Sequence, residues 1–241
     1  MANAAASPPP PTQGASALNR INRQDSMDKK PGRKPRIAVV NCGVGNLLCV
    51  HSALKRLGAS PFEAATRQEL AEGQAIILPG VGAFPEAMAN LQRLNIAKPL
   101  TDEVLGKKKP FLGICLGMQL LAESSEEFGM HQGLGWLNAK VTRIPENGVR
   151  LPHVGWNTID GADPGMFSRV PADAHFYFDH SYRMECHAED VAGSCSYGAA
   201  ITAAVRRDNI WGTQFHPEKS QIYGLMLLRN FLNTVEATTP C

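Results

Sequence analysis

The sequence predicts an α/β fold: a doubly wound, mostly parallel sheet flanked by helices, with an antiparallel extension. Three observations carry the prediction. From residue 36 to about residue 125, short β-branched or apolar runs alternate with helical patterns. The strand-like runs are almost continuously apolar, as strands covered on both faces must be. After residue 133 the helical patterns give way to strand-like pieces joined by short turns.

In chain order, RIAVV (36–40) begins the sheet and NLLCVHSALKRLG (46–58) has a helical pattern. AIILPG (75–80) and PFLGI (110–114) are further strands, separated by a helix in FPEAMANLQRL (84–94). LGMQLLAESS (116–125) continues from the second of these as a helix. GWLNAKVTRI, LPHVGWNTI, HFYFDHSYRM, AAITAAVRR and IWGTQFH follow as an antiparallel meander beside or extending the core, with a hairpin at RRDNIW. The last helix, QIYGLMLLRNFLNTV (221–235), places Ile222, Leu225, Met226, Leu228, Phe231 and Leu232 at mainly helical spacing and closes the fold.

The chain has 241 residues, 44% of them hydrophobic, enough for one sizeable core. One folded domain is expected over residues 36–241. Residues 1–35 are rich in Ala, Ser and Pro and then basic, so they offer no apolar face to bury and are expected to be disordered. They lack the apolar segment of a secretory signal; their arginines leave an organellar targeting role open, PPPP opposes one long amphipathic helix, and Met27 is an alternative start.

The net charge of +2 conceals an asymmetry. Seven of the 24 basic residues and two of the 22 acidic ones lie in the first 36 positions, leaving 17 basic and 20 acidic for the folded part. A nucleic-acid binder would keep a basic face there. Cysteines 42, 49, 115, 186, 195 and 241 form no CxxC pair, which disfavours a disulfide scaffold or zinc site and suits a reducing compartment such as the cytoplasm. No metal or other cofactor is expected. No segment approaches the roughly 18 consecutive apolar residues of a membrane span.

GICLG (113–117) has the Gly-x-nucleophile-x-Gly form of a nucleophile elbow, with Cys115 between strand and helix. Its glycines allow a cramped turn, and a helix N-terminus favours thiolate. A buried thiol in a tight turn has the same local sequence, so the distinction rests on a partner base. GTQFHPEKS (212–220) supplies His216 and, one residue beyond Pro217, Glu218. In an extended segment residues i and i+2 point to one side, so Glu218 can hold the imidazole nitrogen that faces away from the thiol.

PFLGICLGMQLLAESSEE together with GTQFHPEKS resembles the class I glutamine amidotransferase family. GVGNL, LPGVGAF, GLGWLNAKVTRI, LPHVGWN and HSY resemble, within it, the HisH-type glutaminase subunits of imidazole glycerol phosphate synthase. The likeness runs from about residue 36 to 235 and implies the class I amidotransferase fold. It also implies a triad of Cys115 as nucleophile, His216 as general base then acid, and Glu218 as orienter, releasing ammonia from glutamine. Oxyanion donors would come from Leu116 and from the turn at Val81 and Gly82.

The resemblance further implies glutamine held by Gln119 and Glu127, the latter against the substrate ammonium, and by backbone groups of Ser181 and Tyr182. Without it, Gln119 is a helix-surface residue and Glu127 a solvated acid. Asn46, Trp156 and Lys219 are implied to meet a HisF-type TIM-barrel cyclase in a heterodimer; by themselves they read as a helix cap, a core or edge aromatic and a solvated lysine. Asn41, Cys42 and Asp179 depart from the family pattern, which bears on interface geometry rather than on the triad. The competing readings are an amidotransferase for another synthase, in amino-sugar or vitamin B6 synthesis, and a non-catalytic regulatory subunit of the same fold. A subunit of the last kind should have lost a triad member, and none is lost here.

Overall fold

A computed structural model describes residues 34–43 and 46–238. The expectations for residues 1–33 lie outside the described residues. The elements in chain order are β1 (Arg36–Val40), α1 (Leu47–Arg56), β2 (Ser60–Ala64), α2 (Arg67–Glu72) and β3 (Ala75–Gly80). Next come α3 (Phe84–Arg93), α4 (Ala97–Thr101), which runs on into a π-turn at Asp102–Gly106, β4 (Phe111–Cys115) and α5 (Leu116–Gln119). Then follow β5 (Ser124–Ser125), β6 (His131–Gln132), β7 (Ala139–Arg143), β8 (His153–Thr158), β9 (His175–His180) and β10 (Tyr182–Cys186). The described residues end with β11 (Val191–Ser196), β12 (Ala200–Arg207), β13 (Ile210–Thr213), a 3₁₀ turn at Pro217–Lys219 and α6 (Gln221–Thr238).

The main sheet has seven strands in the order β11-β12-β13-β4-β3-β1-β2. From β2 to β13 every neighbour pair is parallel; β12 and β11 add an antiparallel edge. The continuous apolar runs have the cause inferred from sequence. Ile37 and Val39 of β1 enter one core with Val50 and Leu54 of α1 and Leu228 and Phe231 of α6. Ala38 and Val40 enter the other, with Phe84 and Leu91 of α3 and Leu100 of α4. Alternate side chains of one strand thus need cover on opposite faces. In α6, Leu227 joins the fully buried face, whereas Ile222 and Met226 are only half-buried.

Two expectations are corrected. The strands after residue 133 are not one meander: β11 to β13 extend the main sheet, β10-β7-β5-β6 form a second sheet, and β8-β9 form a third. The RRDNIW hairpin is present, pairing Arg207 with Ile210, with Asp208 at φ 51°. The helix expected over residues 116–125 stops at Gln119. Beyond it, the carbonyls of Leu120, Leu121 and Ala122 accept hydrogen bonds from Leu134, Trp136 and Gly135, so the returning chain takes the acceptors that a longer helix would need.

Parallel order is what assembles the site. β3, β4 and β13 are neighbours whose carboxyl ends share one edge, with Gly80 opposite Cys115 and Thr213 opposite Ile114. The residues just past those ends are Val81 and Gly82, Leu116, and Gln214 to Glu218. In open α/β sheets, ligands bind at this edge.

Candidate active site

Cys115 ends β4 and precedes α5 with φ 54° and ψ −110°, a conformation that L-residues rarely adopt. The flanking glycines give space rather than unusual dihedrals. A Cβ on Gly117 would lie 1.8 Å from the Leu78 carbonyl oxygen of β3, and one on Gly113 would lie 2.6 Å from the Gly117 oxygen. The two glycines let the turn fold back on the sheet, and Cys115 itself carries the strain. With only four residues, α5 contributes little macrodipole; its electrostatic effect reduces to the unpaired amides of its first turn, Leu116 included.

His216, only 2% exposed, donates from Nδ1 to Glu218 Oε1 at 2.8 Å. Burial opposes charge on the ring, but hydrogen bonds to Cys115 and Glu218, and attraction to both, outweigh it and hold the His216 pKa up at about 10. The ring therefore favours an imidazolium between sulfur and carboxylate. Two other cysteines differ: burial pushes Cys186 up to about 11 and Cys195 up to about 12, as expected of inert structural thiols.

A cleft of about 530 Å³ opens over Cys115 and is lined by Val81, Gly82, Leu116, Gln119, Glu127 and His216, among others. Every residue expected to form the oxyanion hole or hold glutamine borders it, Ser181 and Tyr182 included. Gly82 has φ +96°, a backbone conformation that favours glycine at this turn of the cleft lining. Glu127 has a second function: its Oε2 accepts the Phe84 N–H at 2.7 Å, tying the cleft wall to the first turn of α3, directly after the Val81–Gly82 turn. Tyr182 offers a ligand no carbonyl lone pair, since that oxygen already accepts from Gln119 Nε2 at 3.0 Å and His180 Nδ1 at 2.8 Å. The Ser181 carbonyl accepts from Ile144 N–H.

His180 of this lining is paired with the buried His153, and the sequence did not single out either. Because the Tyr182 carbonyl can only accept, His180 Nδ1 must donate to it, leaving His180 Nε2 to accept from His153 Nδ1 at 3.1 Å. His153 stacks between Phe178 and Tyr197. Burial, then repulsion from His180, lowers the His153 pKa to about 3; burial, only partly offset by the Tyr182 bond, lowers that of His180 to about 4. Both are neutral in the fold and would take up protons sooner when unfolded. Their stabilising contribution is therefore complete above the unfolded value near 6.5 and is lost as the pH falls from there toward the folded values. Melting temperature should fall between about pH 7 and pH 5, and less steeply in His153→Phe, which keeps the stacking and removes one titrating group; equal slopes in thermal melts would refute this.

Of the expected contact residues, Asn46 caps α1 by accepting the Cys49 N–H at 3.3 Å, and it is exposed; Val44 and Gly45 beside it lie outside the described residues. Trp156 packs edge-on against Tyr177 at 5.8 Å, and Lys219 Nζ lies 5.6 Å from the same ring. Asn41 braces its turn, donating to Glu63 and accepting from Gly43 N–H. Cys42 is buried. Asp179 is exposed, while its carbonyl faces the Cys115 thiol at 3.9 Å. Arg143, Phe128 and Gln214 were not anticipated; the first two line the cleft and the third reaches the sulfur.

Among the described residues, no group of His, Cys, Asp and Glu could hold a metal ion, and no helix is long and apolar enough to cross a membrane. Residues 38–235 match the family model for glutamine amidotransferase class-I. The chain is 46% identical over 197 residues to imidazole glycerol phosphate synthase subunit HisH of Desulfitobacterium hafniense (strain DSM 10664 / DCB-2), covering 81% of this chain and 92% of that protein. It is 41% identical over 202 residues to subunit HisH 2 of Pseudomonas aeruginosa, covering 83% and 100%. Solved structures with the same fold include PurLQS from Thermotoga maritima, at TM-score 0.67 and 20% identity over 84% of this chain and 99% of that one. Another is a glutamine amidotransferase from Thermotoga maritima, at TM-score 0.58 and 18% identity over 85% and 99%. With its elbow cysteine and its His-Glu pair brought to one edge of a parallel sheet, the chain belongs to the class I glutamine amidotransferases.

Proposed function

We propose that this chain is the glutaminase subunit of an imidazole glycerol phosphate synthase, hydrolysing glutamine to glutamate and ammonia for a cyclase in histidine biosynthesis. The observation that carries the reading is Cys115, held at φ 54° over the cleft, facing a buried His216 that Glu218 orients at 2.8 Å. In this reading the Cys115 thiolate attacks the carboxamide carbon of glutamine. The oxyanion forms against the N–H groups of Leu116 and of the Val81–Gly82 turn, each such donor lowering the barrier by about 3 to 4 kcal/mol. His216 gives its proton to the departing ammonia, and the γ-glutamyl thioester remains. His216 then takes a proton from water, which releases glutamate. Glu127 and Gln119 hold the substrate ammonium, and Ser181 and Tyr182 close the wall around it. No cofactor enters this chemistry.

Identity of 41% to 46% to HisH subunits over most of both chains favours the histidine pathway over amino-sugar or vitamin B6 synthesis. The intact triad opposes a purely regulatory subunit. The proposed partner is a HisF-type barrel forming a heterodimer in the cytoplasm, docked on Asn46, Trp156 and Lys219. Leu48, 80% exposed, and Val154, 50% exposed, add apolar surface to the elements bearing Asn46 and Trp156. This face connects to the chemistry: the Tyr177 carbonyl accepts the His216 N–H, and Tyr177 N–H donates to Ser220 Oγ.

Docking on the Trp156, Tyr177 and Lys219 cluster would therefore act on the segment that carries His216 and Glu218. Glutamate production should rise at least about tenfold, equivalent to 1.36 kcal/mol of barrier, when the barrel and its ligand are added to the chain. Equal turnover alone, with the barrel, and with barrel plus ligand would refute the coupling. Unchanged activation in Lys219→Ala would remove only that residue from it.

A further inference from the structure

Gln214 has no part in the chemistry above, yet its side chain is fully buried beside the nucleophile. It leaves β13 two residues before His216, and its backbone N–H is fixed to the Ala203 carbonyl at 2.8 Å. Its Nε2 lies 3.6 Å from Cys115 Sγ, and its Oε1 lies 2.9 Å from Gln119 Nε2. Gln119 Nε2 also lies 3.0 Å from the Tyr182 carbonyl oxygen.

The direction of every bond in this chain is determined. A carbonyl oxygen only accepts, so Gln119 must turn its nitrogen, not its oxygen, to Tyr182. The second N–H of the same amide then points at Gln214, which must present oxygen to it. Gln214 is left with its own N–H groups toward the sulfur. We infer that Gln214 is a positioning residue that donates a hydrogen bond to the Cys115 sulfur, and that the Tyr182 carbonyl, acting through Gln119, sets the orientation of that donor.

Two consequences follow from the bond directions. A thiolate, with lone pairs on every side, gains from the second donor a fixed orientation: His216 holds one side, Gln214 another, and the side toward the cleft stays open for attack. Gln119, 4% exposed, has spent both N–H groups inside the protein, so it meets substrate only through Oε1. It is thereby suited to a donor such as an ammonium, and not to a carboxylate.

The inference rests on Cys115 being the nucleophile, and the test separates the two. Alkylation of Cys115 by iodoacetamide is followed across pH in the full-length chain, with peptide mass identifying the modified residue. Around the sulfur lie His216 with Glu218 behind it, and Glu127, Arg143, Asp179 and His180 about the cleft; all are retained in the variants, so a shift reports the amide. Gln214→Met keeps length and loses the donor. The acid limb of its profile should move up by about one pH unit, since hydrogen bonds to charged groups have a net effect of that order, and glutamine-dependent kcat/KM should fall about tenfold. Gln119→Met leaves Gln214 in place but frees it to flip, and should give a smaller shift in the same direction.

A Gln214→Met profile superimposable on that of the wild type overturns the inference, whatever happens to the melting temperature. If Gln214→Met does not fold, a superimposable Gln119→Met profile does so instead. Retained glutaminase turnover in Cys115→Ala would overturn the nucleophile reading itself, a different result from an unshifted profile in a chain whose Cys115→Ala variant is inactive.

Discussion

Cys115→Ala should lower glutamine-dependent turnover by about 10⁴-fold or more, the scale of losing a nucleophile, while ammonia-dependent synthesis by the complex with its barrel stays within about twofold of wild type. Only the thiolate forms the thioester; free ammonia bypasses that step. The backbone permits a control. Alanine at φ 54° bears the same strain as cysteine, whereas glycine does not. Backbone strain of this kind costs roughly 1 to 3 kcal/mol, and about 1 kcal/mol moves the melting temperature of a chain this size by some 2 to 4 °C. Cys115→Gly should therefore be as inactive as Cys115→Ala but melt several degrees higher. Glutaminase turnover in either variant near that of wild type would sink the assignment. Equal melting temperatures would sink the claim that the elbow is strained.

The parts of this fold that were legible in the sequence are those where one face decides. The apolar runs of β1, β3 and β4 had to be doubly covered, and they are. α2 escaped notice although its signal is present: Thr66 and Glu69 stand three apart and cap each other, Thr66 Oγ1 accepting from Glu69 N–H and Glu69 Oε2 from Thr66 Oγ1–H and Ala65 N–H. β2, SPFEA, contains a proline and lies at the sheet edge with only Ala64 buried, so it had no apolar run to show. The short α5 was beyond local reading. LGMQLLAESS has a helical pattern, and it is the chain returning at residues 133–137 that takes its carbonyls.

In the site, the pairing of His216 with Glu218 is present, but not through the extended segment expected: Pro217–Lys219 form a 3₁₀ turn that begins at His216, and this turn sets Glu218 against Nδ1. Alternation runs only up to His216: Phe215 enters the core beneath α6 while Gln214 and His216 reach the sulfur. The histidine pair was not legible. His153 and His180 are 27 residues apart and meet only because β8 and β9 pair in register, with His153 opposite His180. Nor could spacing reveal that Glu127 would reach back to the Phe84 N–H, a contact made across separate loops.

Glu218→Gln should lower kcat by about 10³ to 10⁴-fold with little change in KM, the scale seen when the carboxylate behind a catalytic histidine becomes an amide. The argument starts from two oxygens in different settings. Glu218 Oε1 takes the His216 Nδ1 at 2.8 Å, whereas Oε2 is buried and, among the described residues, has no hydrogen-bond partner. An amide nitrogen placed at Oε2 would leave its N–H groups buried and unpaired, which is costly. The amide therefore turns its nitrogen toward His216, where it donates to Nδ1 and drives the ring proton to the side facing sulfur. In that tautomer the ring cannot accept a proton from Cys115. Loss of the carboxylate also removes one of the two partners that hold the His216 pKa near 10, so burial pulls it down and the imidazolium that protonates ammonia is less populated. Binding of glutamine involves neither effect, which is why KM should hold. The measurement is steady-state glutamate production by the complex, with Glu218→Asp, which keeps the charge, as the comparison. A kcat for Glu218→Gln within tenfold of wild type would mean that Glu218 only fills space beside the ring.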